Sequence, residues 1–164
     1  MTFTFETELN NDGWIGALVI PVDIGEQLEA SKIKRVVATV TANGNELTLY
    51  AGVIKRKGLR YLMCSKANKN LLEIEEGNKV QVHMVEDTST YQAPMTEELE
   101  AVLWSDFEAY EIFEGLLPGK QRNLIFLIYG IKNAQKRVEV ALNAMENLKM
   151  GNLNPNKFEK ILTF

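Results

Sequence analysis

The 164 residues, 46% hydrophobic and 24% charged, have the size and make-up of a soluble globular protein with room for two small subdomains. A formal net charge of −4 argues against a general polyanion binder, since nonspecific nucleic-acid affinity comes from Lys and Arg neutralising phosphates. One cysteine, Cys64, rules out an internal disulfide and suits a reducing compartment. The N-terminal Thr2-Phe3-Thr4-Phe5-Glu6 has neither the basic nor the apolar region of a signal peptide. The longest apolar run, Leu124 to Tyr129, has six residues against the roughly 20 of a membrane span. A cytoplasmic location is expected, with no membrane partner.

Thr2 to Leu9 places Phe3, Phe5 and Leu9 on one side of a strand, and Asn10-Asn11-Asp12-Gly13 is a turn signal. Trp14 to Ile20 reads as the returning strand, with Trp14 in the core, and it stops at Pro21, which cannot donate to a ladder. Asp23 and Glu26 stand at capping-box spacing, which predicts a single helical turn around Asp23 to Leu28, weakened by Gly25. Arg35 to Ala42 is rich in β-branched residues, and Asn43-Gly44 predicts a tight hairpin into Glu46 to Ile54. Lys57-Gly58 turns into Leu59 to Cys64, Ser65 can cap a short helix through Leu72, and Gly77 to Asp87 reads as a last strand. About six strands with tight turns favour a small closed or nearly closed antiparallel barrel, because closure removes exposed edges.

Beyond Pro94 the hydrophobic period changes from two to about 3.6, so a helical half follows. Thr96 to Leu103 is an acidic helical run. Ser105 and Glu108 form a capping box, with Phe107, Tyr110 and Phe113 at core spacing and Trp104 packed alongside. Leu116-Leu117-Pro118-Gly119 ends that helix, and another is predicted from about Lys120 to Lys132. Asn133 caps the last helix, whose apolar stripe is Val138, Ala141, Leu142, Met145 and Leu148, with Gly151 closing it. The fold class is therefore α+β. A β-barrel domain spans residues 1–90, a helical module spans 94–151, and the apolar tail 152–164 reads as docked rather than free.

The junction resembles that of a known family. Bacterial YdeI/OmpD-associated proteins, often called bacteriocin-protection proteins, join an N-terminal β-barrel of unknown function to a short helical domain. In the barrel the matching pieces are Trp14 with Ile20-Pro21-Val22-Asp23, Arg35 to Val40 with its Asn43-Gly44 hairpin, and Gly77-Asn78-Lys79-Val80-Gln81-Val82. In the helical module they are Pro94 to Leu99, Phe113 to Pro118, Lys120-Gln121-Arg122, Ile131-Lys132 and Arg137. Asn78 stands where the family has Asp, Lys136 where it has Thr, and Val140 where it has a second arginine. The resemblance implies architecture and a protective, non-enzymatic role; it implies no reaction and no cofactor.

Cys64 and His83 are the only thiol and imidazole, too few for a structural zinc site, and the spacing suggests a buried cysteine and a solvent-facing histidine rather than a dyad. No P-loop, dinucleotide fingerprint or nucleophile elbow is present, so no catalytic residue is assigned. Charge is segregated. Lys55, Arg56, Lys57, Arg60, Lys66 and Lys69 fall in one stretch without acids, and Lys120, Arg122, Lys132, Lys136 and Arg137 in another. Such stretches ordinarily form solvated faces or complement acidic residues between the modules; if they instead form an anion site at the barrel–helix interface, Arg122, Lys132 and Arg137, which lie on family-matching motifs, are the candidate ligands. The leading expectation is a non-enzymatic protein that binds a small anionic ligand or a protein partner. The alternatives are a small enzyme with an inter-module site and a nucleic-acid module using the basic hairpin.

Overall fold

Along Thr2–Asn10 (β1) every second side chain turns inward, with Phe5 and Leu9 buried and Phe3 half-buried against the same core. The computed structural model describes residues 1–11 and 16–164, and the chain divides into two units, Met1–Thr88 and Ser89–Phe164. The turn at Asp12 and Gly13 and the core placement of Trp14 lie outside the described residues.

Among the described residues the first unit is one antiparallel sheet of seven strands. After β1 come Ala17–Ile20 (β2), Arg35–Ala42 (β3), Asn45–Gly52 (β4), Ile54–Arg56 (β5), Leu59–Met63 (β6) and Lys79–Glu86 (β7). Their order is β4-β3-β7-β1-β2-β6-β5, curled into a half-barrel around Leu18, Val36, Val40, Leu62, Val82 and Met84. The strand count and the closure differ from the sequence expectation. The run predicted as one strand through Ile54 breaks at Val53: its N–H still bonds the Lys34 carbonyl at 2.9 Å, continuing the β3–β4 register, whereas Ile54 pairs with Tyr61. β4 therefore pairs with β3 and β5 pairs with β6, which makes seven strands and leaves an open order.

Turn chemistry sets the registers. Asn43 (φ 54°) and Gly44 (φ 75°) give the two positive angles of a type I′ turn, and β3 and β4 then pair from Ala42↔Asn45 to Arg35↔Gly52. Lys57 (φ 49°) and Gly58 (φ 77°) do the same between β5 and β6.

The helix after Pro21 runs from Val22 to Ala30 (α1), longer than the single turn expected. It has no side-chain cap, so the Asp23–Glu26 capping box does not form. Gly25 helps seat it, because a Cβ there would lie 3.1 Å from the Arg60 Cδ, and Arg60 is buried against this helix. Lys66–Leu72 (α2) is capped as predicted, with Ser65 Oγ accepting from Asn68 N at 3.2 Å.

The second unit is helical: Glu97–Ser105 (α3), Phe107–Glu114 (α4), Pro118–Tyr129 (α5) and Ala134–Lys149 (α6). α6 packs against the other three, and its buried residues Ala141, Ala144, Met145 and Leu148 meet Leu99, Leu103, Phe113, Leu124, Ile125 and Ile128. Thr96 and Asn133 cap α3 and α6 as their sequences predict.

Two helix boundaries move. The cap of α4 is Asp106, which accepts from Ala109 N at 3.1 Å, while Ser105 ends α3 with its hydroxyl on the Val102 carbonyl. α5 starts at Pro118 rather than Lys120, since proline at the first helical position lacks only an N–H the helix would leave unpaired. The restart at Asp106 sets a buried stripe of Ala109 and Phe113, leaving Trp104 77% and Phe107 72% exposed, so neither joins the core as expected. Among the described residues no helix is long and apolar enough to cross a membrane.

Candidate functional site

The three predicted anion ligands all lie in the helical unit, and the structure gives Arg137 another task. Its Nη2 reaches Glu98 at 2.8 Å, and its Nη1 donates to the Ile131 and Lys132 carbonyls at 2.8 and 3.0 Å. Arg137 thus ties the α5–α6 connection to the first turn of α3. The hydrogen bond from Arg137 holds the Glu98 carboxyl below the usual carboxylate range. Lys132 meets Arg137 only through its carbonyl. Arg122 is half-exposed on α5, and among the described residues no hydrogen bond or ion pair joins it to the other two. Gln121, from the same motif, is also structural: its Nε2 donates to the Phe113 carbonyl at 3.0 Å, finishing the end of α4.

In the first unit Cys64 is fully buried and burial pushes its thiol pKa up. His83 is exposed between the buried Val82 and Met84, and its Nδ1 lies 3.0 Å from Thr4 Oγ1. Core and solvent face separate the two, so they form no Cys–His dyad. The basic hairpin is partly neutralised: Lys55 lies 3.0 Å from Glu29, and Arg60 pairs with the same carboxylate. The Lys55 hydrogen bond, with the Arg60 charge, lowers the Glu29 pKa.

Two asparagines on α6 do what the sequence did not announce. Asn147, 1% exposed, accepts from Glu159 N at 2.9 Å and donates to the Glu159 carbonyl at 2.8 Å, bracketing one residue of the tail through its main chain. Its remaining capacity goes to the Asn143 carbonyl and the Asn152 amide, at 2.9 and 3.0 Å. One turn earlier, Asn143 donates to the same Glu159 carbonyl and accepts from Ile161 N and Leu162 N at 2.7 and 3.1 Å. Spacing of i and i+4 puts both amides on one helix face, where they hold an extended segment. A 3-10 turn at Pro155–Lys157 leads in, with Pro155 buried and Phe158 packed on the helical core. The tail is docked without pairing as a strand.

Docking leaves a groove of about 340 Å³ between the tail and the two helices. Leu127, Val140, Phe158, Leu162 and Phe164 form its apolar wall, and Lys136, Glu139, Glu159 and Lys160 its polar rim. Lys136 Nζ is 3.5 Å from Glu139, whereas Lys160 has no ion pair among the described residues. The groove is concave, with apolar and charged side chains in nearly equal number. Among the described residues no group of three or more His, Cys, Asp or Glu is placed to hold a metal ion.

At the other end of α6, Lys149 Nζ reaches Asp106 and Glu146, each at 2.8 Å. The Lys149 hydrogen bond, helped by the Ala109 N–H, depresses the Asp106 pKa. A depressed carboxyl stabilises the fold above its unfolded pKa of about 3.9 and loses that contribution as pH falls through the lower folded value. Asp106→Asn keeps a good helix cap but removes the charge pair. We expect its urea midpoint to fall less steeply below pH 4 than that of the parent chain; equal slopes would assign the acid loss elsewhere.

No family model matches the chain, and no curated protein matches it. Among solved structures it is similar to the solution structure of PHS018 from Pyrococcus horikoshii, at 21% identity over 51% of this chain and 88% of that one, with a TM-score of 0.38. That likeness bears on neither site nor function.

Proposed function

We propose that this is a non-enzymatic binding protein, of the protective kind that the YdeI/OmpD-associated resemblance implies, which holds a small amphipathic organic anion in the groove of its helical unit. The observation that carries the reading is the groove itself: an apolar wall of five side chains beside Lys160, which has no ion pair among the described residues although Glu139 and Glu159 share the rim. A carboxylate or phosphate on an aromatic or aliphatic body would place its charge at Lys160 and Lys136 and its body against Phe158, Leu162 and Val140. Arg137, already committed to Glu98, serves as scaffold in this reading rather than as a ligand. Pairing of Lys55 and Arg60 with Glu29 works against a nucleic-acid role for the basic hairpin.

The test is a thermal-shift and amide-NMR titration with benzoate, phenylacetate, octanoate, phenyl phosphate and inorganic phosphate. At least one organic anion should raise the melting temperature saturably and shift the Val140, Asn143 and Leu162 amides. Lys160→Glu should weaken that binding tenfold or more, an order-of-magnitude expectation for reversing a contacting charge. Shifts gathered around Arg122 and Lys132 instead would move the site back to the residues first expected. No saturable binder would end the proposal.

A further inference from the structure

The outer side of α3 and α4 carries one sign of charge and two uncovered rings. From Thr96 to Gly119 the sequence holds seven acids and no Lys, Arg or His. Glu98 and Asp106 are paired, with Arg137 and Lys149, and Glu114 accepts from the Tyr91 hydroxyl. Glu97, Glu100, Glu108 and Glu111 are exposed and have no ion pair among the described residues. Between them stand Trp104, 77% exposed, and Phe107, 72% exposed. Helical spacing fixes their neighbours: Trp104 follows Ala101 by three residues and Glu100 by four, and Phe107 precedes Glu111 by four. The same face of α3 borders a depression of about 350 Å³, lined by Ala101, Val102 and Val138 together with Glu97, Glu98 and Ser105. None of these residues lines the groove beside the tail.

We propose that the α3–α4 face docks an arginine-rich segment of a partner protein. Single exposed apolar residues are ordinary, but a tryptophan among unpaired carboxylates matches one chemistry. A guanidinium stacks on the indole face, donates to carboxylates in a planar fork, and lays its methylene stem on apolar surface. Trp104 offers the indole, Glu97, Glu100 and Glu111 the carboxylates, and Phe107 with the Ala101–Val138 depression the apolar bed. Charge complementarity selects this occupant. The same carboxylates repel phosphates, whether of nucleic acid or of an anionic lipid surface, and a second copy presenting this face would set its own acids against them. Tryptophan is also the residue most often found to dominate the energy of an interface. The inference goes beyond the ligand reading, and the two fail separately: one concerns anions at the tail, the other cations at α3 and α4.

The experiment titrates a fluorescein-labelled octa-arginine peptide into the full chain at about 0.05 M salt, followed by anisotropy, with amide NMR to locate the contact. Saturable binding below about 0.1 mM is expected, weakening as salt rises to about 0.3 M, with shifts gathered at Ala101, Ser105 and Glu108. Trp104→Ala, which alters no charge and removes no buried group, should weaken binding about fivefold or more. Glu100→Gln with Glu111→Gln should do the same. Glu46→Gln with Glu75→Gln, an equal loss of charge at exposed positions of the first unit, should change it by no more than about twofold. Circular dichroism should match the parent chain throughout. No saturable binding, equal losses from the two double variants, or indifference to Trp104→Ala would overturn the proposal. So would self-association, seen by light scattering, that Trp104→Ala abolishes, since the occupant would then be a second copy.

Discussion

Phe113→Ala should destabilise the helical unit by about 3–5 kcal/mol, the range for deleting a fully buried aromatic ring. Phe113 is 0% exposed, and Tyr91 meets it edge to face with ring centroids 5.2 Å apart and planes at 68°. Losing the ring opens a cavity among Leu99, Leu124 and Met145 and removes the partner that positions Tyr91, whose hydroxyl donates to Glu114. Burial first, and then that carboxylate, push the Tyr91 pKa well up. Total stabilities of small domains are about 5–15 kcal/mol, so this one change takes a large share. The comparison that gives it meaning is Phe107→Ala. Both phenylalanines fall on core spacing in the sequence, yet Phe107 is 72% exposed, so its truncation should change stability by no more than about 0.5 kcal/mol. Urea unfolding of the two variants, with hydrogen exchange to locate the loss within residues 89–164, checks the helix phase directly. Equal costs would mean that α4 is rotated from the orientation described.

The second large effect is expected at Asn147. Asn147→Leu preserves the volume and leaves only Asn143 to hold the tail. The Glu159 N–H and carbonyl and the Asn152 amide each lose a partner at a site that is 1% exposed. An unsatisfied buried group costs about 1–3 kcal/mol, but the tail can lift away and hydrate, which caps the loss near the free energy of docking. We expect about 2–3 kcal/mol from the helical unit. The amides of Glu159, Ile161 and Leu162 should exchange fast while those of Ala141 and Met145 stay protected. Unchanged protection at Glu159 would show that the apolar anchors hold the tail alone.

These residues mark where the sequence could be read and where it could not. Hairpins were legible because Asn43-Gly44 and Lys57-Gly58 state their geometry locally, and the alternation in β7 put His83 outward and Val82 inward. The cap of α4 was missed by one position because Ser105 and Asp106 are both good caps, and only the fold chose between them. Val53 looked like a mid-strand residue; the change of partner after it, from β3 to β6, depends on strands distant in sequence. Arg137 reads as a candidate anion ligand in the sequence because its own stretch holds no acids and its destination, Glu98, lies on another helix. Asn143 and Asn147 drew no notice, since asparagine within a helix ordinarily faces water. The available signal was their i, i+4 spacing beside the stripe of Met145 and Leu148, followed by an apolar tail with nowhere else to go.

The break at Val53 bears on how exposed the borders of the first unit's sheet are. The two outermost strands of its sheet, β4 and β5, are consecutive in the chain with that one residue between them. An intruding strand from another molecule needs a run of unpaired N–H and carbonyl groups along a free border. Here the chain passes straight from one border strand to the other, and β5 offers only three residues against eight in β4. Cutting the chain there would release two independent borders. A circular permutation at this point should scatter more light at equal concentration than one opened at Asn43-Gly44, which leaves the border strands joined.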